Sequence, residues 1–137
     1  MVHALHEANR VLKQGGALID LRPAPVHRGV GIEANGDFTL VAKMNEKFDE
    51  DYAANRAVAE VIREGILKTE SRLQIDCKRA MSSLKDFHLW MDDFIVMAGL
   101  PSQESLIQKV ERAYKSTSGR KRIVVRAPLI LRVLRKT

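Results

Sequence analysis

The apolar positions change period several times along the chain, and each change marks an element. Leu5, Ala8, Val11 and Leu12 recur every three or four residues, which predicts a helix at the N-terminus. Glu7 and Arg10 are spaced for a weak surface pair, and Lys13 falls in the last turn, where a cation suits the helix dipole. Gly15-Gly16 ends the helix, because glycine takes the left-handed cap conformation without steric cost. Ala17–Leu21 is then a short, nearly continuous apolar run, the pattern of a strand covered on both faces as in parallel sheets. Pro23 and Pro25 stop it.

Further on, Val30 and Ile32, the tight-turn pair Asn35-Gly36 and the alternating Phe38, Leu40 and Ala42 predict a hairpin over 29–42, an ornament on the core fold. The segment 49–137 reads as helix, strand, two helices, strand. Asp49 serves as a helix cap, Tyr52, Val58, Val61, Ile62 and Ile66 form the apolar side, and Gly65 marks the end. From Leu67 to Lys78, Leu73, Ile75 and Cys77 alternate with polar residues, as in a strand with one wet face. Ser83 and Asp86 are spaced as a capping box ahead of the bulky stripe Leu84, Phe87, Trp90, Met91 and Phe94. After the break at Gly99-Leu100-Pro101-Ser102, Leu106, Ile107, Val110 and Ala113 define another helix. A long strand from Lys121 to Leu134 closes the chain, and Pro128, lacking an amide donor, implies a bulge or an unpaired position within it.

The residues Leu5, Glu7, Arg10, Val11, Leu12, Lys13, Gly15 and Gly16 also carry a family pattern. The stretch resembles the LxExxRVLKPGG segment of class I S-adenosylmethionine-dependent methyltransferases, with Gln14 at the usual proline. In that family it is the helix and turn before the fifth sheet strand, which would here be Ala17–Leu21. The close match covers about a sixth of the chain. The rest agrees in element order, so the resemblance is to the C-terminal part of such a domain. It implies an α/β fold: a three-layer, Rossmann-like methyltransferase half-sheet, mixed in direction. The last strand would be reversed and inserted between Ala17–Leu21 and Leu67–Lys78, with the hairpin added.

The family holds its cofactor mainly through a glycine-rich loop and an acidic residue in the N-terminal half. Neither is present here. Gly15-Gly16 belongs to the turn before the strand, and Gly29-Val30-Gly31 lacks the preceding strand and following helix that a nucleotide-cradling loop needs. The expectation is therefore a truncated or partial methyltransferase-like protein, 1–137 forming a single domain, inactive alone and with no cofactor expected for this chain. Its catalytic residues are unknown. The Ala17–Leu21 strand would lose a neighbour, and a bare hydrophobic edge invites pairing, so a homodimer or a covering partner is expected.

Composition sharpens this picture in two places. The net charge is +6, yet eight basic residues lie from Lys115 onward and no acid follows Glu111; removing those eight from 23 leaves 15 against 17 acidic residues. This basic end reads either as a nucleic-acid or acidic-partner surface or as a charged strand edge kept from aggregating. No aromatic residue follows Tyr114 to act as a stacking platform, which favours the second reading. The single cysteine, Cys77, offers no disulfide and fits a reducing cytoplasm. No apolar stretch reaches the length of about 18 residues that a membrane span needs, and His3, His6, Glu7 and Arg10 are unlike a signal peptide.

Candidate chemistry is sparse. Arg22, His27 and Arg28 form the one site-like polar cluster, in the loop that follows the first strand. Ligands of α/β folds gather at the carboxyl ends of parallel strands, and in the resembled family this segment borders the substrate side. The alternative is an exposed loop with ordinary solvated bases. His3, His6, His27 and His88 have no metal-ligand spacing, so no metal is expected.

Overall fold

The computed structural model describes residues 1–137. Its elements are α1 (Val2–Val11), β1 (Ala17–Pro23), β2 (Gly29–Ala34), β3 (Asp37–Lys43), α2 (Asp49–Arg63), β4 (Leu67–Met81), α3 (Leu84–Ala98), α4 (Glu104–Ser116) and β5 (Lys121–Lys136). The fold is mixed α/β. Its five strands form one antiparallel open sheet in the order β1-β5-β2-β3, with β4 also pairing β5.

β5 is the organising strand. Residues 121–126 pair with β2 and residues 129–135 pair with β1. Pro128 lies between the two registers, and its carbonyl accepts the Ala24 N–H at 2.9 Å. A residue without an N–H thus stands where the strand changes partners. β5 also separates β1 from β4, as expected for a final strand inserted between them. The sheet is antiparallel rather than mixed for the same reason, since β1 and β4 never meet as a parallel pair.

The chain divides into two compact units. One comprises Met1–Val26, Phe48–Asp76 and Pro128–Thr137, and the other His27–Lys47 and Cys77–Ala127. In the first, Leu5 of α1, Ala57, Val58 and Val61 of α2, Leu67 and Leu134 form the core, with Leu18 against it. Here β1 departs from the expected doubly covered strand. Leu18, Asp20 and Arg22 are half-buried, whereas Ile19 is 65% and Leu21 53% exposed. The alternation follows from Asp20 and Arg22, which share the parity of Leu18 and place a polar pair on the covered side. Tyr52, expected on the apolar side of α2, is exposed; Ala57 takes part in the core instead.

In the second unit, Val30 and Ile32 of β2 sit opposite Val125 and Ile123 of β5. Phe87 and Met91 of α3 and Leu106 and Val110 of α4 close that core. The hairpin is therefore part of the sheet, not an ornament: β2 is a central strand. Asn35 (φ 52°) and Gly36 (φ 81°) make its turn in the left-handed region. Gly31 sits at a break in the β2–β3 register, and a Cβ there would come within 2.2 Å of the Thr39 carbonyl oxygen and 2.7 Å of the Phe38 ring. Gly31→Ala must displace backbone, and we expect a loss of about 1–3 kcal/mol or more in urea unfolding.

Smaller differences concern helix ends. α1 stops at Val11, two residues before the expected Lys13, and Gly15 takes φ 71° beyond it. Phe48, not Asp49, is the N-cap of α2. The Ser83 cap forms, its Oγ accepting the Asp86 N–H at 3.1 Å.

Candidate functional site

The three residues singled out from sequence fall into two separate networks. Arg28 is committed to structure. Its guanidinium and its backbone N–H both bond the Glu46 carboxylate, the latter at 2.7 Å, and it lies 4.8 Å over the Phe94 ring. Phe94 in turn stacks on Trp90, ring centroids 5.0 Å apart. The Arg28 side chain is 19% and that of Glu46 5% exposed. His27 Nδ1 accepts the Glu46 N–H at 3.3 Å. Through Glu46, Arg28 and His27 tie the start of β2 to the segment after β3.

Arg22 belongs to the other network, beneath α2. Its Nε and Nη2 hold the two Asp20 oxygens at 2.6 and 2.9 Å, and Nη2 also reaches Asn55 Oδ1 at 3.2 Å. Arg132 of β5 donates to the same Asn55 oxygen at 3.3 Å, and its Nη1 stands 3.8 Å from Asp20 Oδ2. Burial and the like charges of Arg22 and Arg72 push the Arg132 pKa down, against the pull of Asp20. Sequence reading missed Asp20, Asn55 and Arg132. The available signal was parity: Asp20 and Arg22 are two apart on a strand, hence on one face.

The basic C-terminal stretch is largely engaged within the fold. Lys121 Nζ donates to the Tyr114 and Thr117 carbonyls at the end of α4, each at 2.6 Å, and lies over the Tyr114 ring. Lys136 Nζ donates to the Asn9 and Leu12 carbonyls at the end of α1, at 2.7 and 2.9 Å. A lysine near each end of β5 thus meets the negative end of a helix. Arg122 pairs with Glu33, and its hydrogen bond is the main cause holding the Glu33 carboxyl below its ordinary pKa. Arg135 bonds Glu70 at 2.5 Å, and Arg126 lies over the Phe38 ring. Lys136→Met leaves the Asn9 and Leu12 carbonyls without that donor and should cost about 1–2 kcal/mol by urea titration.

The outer side of β1 is apolar and exposed. Ile19 and Leu21 face Val133 and Leu131 across the β1–β5 ladder, and β1 pairs with no other strand. Its second backbone edge is therefore open, beside an apolar face.

Gly29 and Gly31 are strand glycines whose missing side chains admit Leu40, Thr39 and Phe38, so they form no loop around a ligand. Asp20 is occupied by Arg22 and cannot serve as a ribose acceptor without losing that partner. No three His, Cys, Asp or Glu side chains are grouped to hold a metal, and His6 and His88 instead pair singly with Glu64 and Glu111. No helix is long and apolar enough to cross a membrane. Comparison with known proteins finds no matching family model, no matching curated protein and no matching solved structure.

Proposed function

We propose that this chain is a partial methyltransferase-like protein of the cytoplasm, corresponding to the C-terminal part of a Rossmann-like methyltransferase domain and inactive by itself. The observation that carries the reading is strand order. A helix, a glycine turn and a strand are followed, at the end of the chain, by a reversed strand lying between the first strand and β4. The resemblance implies a last strand in that place, though in a mixed rather than an antiparallel sheet. The exposed Ile19 and Leu21 and the open edge of β1 support the same reading, because a complete domain would place further sheet and helices there. The cofactor-binding half would come from another segment or another chain.

The test is a thermal-shift titration of the purified chain with S-adenosylmethionine and S-adenosylhomocysteine. A ligand that binds only the folded state adds about 2.7 kcal/mol of stability at a hundredfold excess over its Kd. We expect no shift from either compound. A dose-dependent rise in Tm would overturn the proposal that the pocket is incomplete.

A second reading, a non-catalytic homodimerisation module, is favoured by that same exposed edge. In an antiparallel self-pairing centred on Asp20, Ile19 of one copy would meet Leu21 of the other on one face. A monomer by light scattering at micromolar concentration would remove this reading.

A further inference from the structure

We propose that the Arg22–Arg132 pair beneath α2 is a binding site for a small oxyanion, a phosphate or carboxylate group, framed by Asp20 and Asn55. This is independent of the methyltransferase-like reading. The argument begins with charge. Two guanidiniums share one carboxylate, and Arg72 adds its field to Arg132. The side chains of Arg22, Arg132 and Asp20 are only 20%, 15% and 8% exposed, so water compensates the excess poorly.

The geometry then shows where compensation is lacking. Both Asp20 oxygens are taken by Arg22, at 2.6 and 2.9 Å. Arg132 comes no nearer to that carboxylate than 3.8 Å, an ion-pair separation without a hydrogen bond, and its one side-chain bond goes to a neutral amide oxygen. Asn55 Oδ1 accepts from both arginines, so its amide N–H pair remains for another acceptor. An oxyanion with two acceptor oxygens suits these donors, because the guanidinium fork binds such groups bidentately. Each arginine side chain keeps a small exposed fraction through which solvent reaches it.

The experiment titrates the whole chain with inorganic phosphate and, separately, with acetate, at ionic strength held constant with chloride. NMR of the arginine Nε–H groups and Tm are read together. We expect saturable shifts at Arg22 and Arg132 and a parallel rise in Tm; the tighter of the two probes identifies the oxyanion class. Arg132→Gln should weaken binding about tenfold or more, as loss of one charged hydrogen bond implies. Asp20→Asn, which removes the competing carboxylate, should tighten it. Should either variant fail to fold, the wild-type arginine resonances alone decide. No saturable shift from phosphate or acetate, or shifts confined to other arginines, would overturn the proposal. So would unchanged affinity in folded Arg132→Gln.

Discussion

Glu46→Gln is expected to lower stability by about 3–4 kcal/mol, the lower part of the range for breaking a buried ion pair, because Arg28 keeps some contact with water. The substitution leaves a guanidinium stacked on Phe94 without its countercharge. An amide oxygen can still accept the Arg28 backbone N–H, so Glu46→Ala should cost about 1–3 kcal/mol more by orphaning that group too. Urea unfolding of Glu46→Gln, Arg28→Met and the double variant provides the check. In the double variant the buried charge has gone with its partner, so its loss should fall short of the sum of the two single losses. Additive losses would mean that Arg28 and Glu46 do not act as a pair.

Phe87→Ala should be the most damaging single truncation in the second unit, at about 3–5 kcal/mol. Phe87 is fully buried, in one cluster with Met91, Leu106, Val110 and Ile123. The cost has two parts: the lost transfer of the ring from water, and a cavity that the surrounding helices and sheet fill only in part. Leu89, two residues on in the same helix, is exposed, and Leu89→Ala should change stability by no more than about 0.5 kcal/mol. Similar losses for both would contradict the assignment of the α3 faces.

These two sites show where local pattern carries information and where it does not. The stripe Leu84, Phe87, Trp90, Met91 and Phe94 was legible because helical period alone places those residues on one side. Asn35-Gly36 was legible for an equally local reason, the left-handed backbone that its turn requires. Arg28 was conspicuous as a charged residue in a loop, yet nothing local distinguishes a substrate-facing arginine from one paired 18 residues away.

The sequence by itself determined the element order, the helix faces, the hairpin turn and the uneven placement of charge. Each depends on residues within a few positions of one another. Tertiary structure alone decided which residues meet across long stretches of chain. It turned Lys121 and Lys136 inward to helix ends, made β2 a central strand, and set Arg132 beside Arg22 and Asp20. It also left Ile19 and Leu21 uncovered, although their apolar run reads as buried on both sides. The physical reason is that hydrophobicity states a need for cover without naming what supplies it, and charge states a need for a partner without saying which.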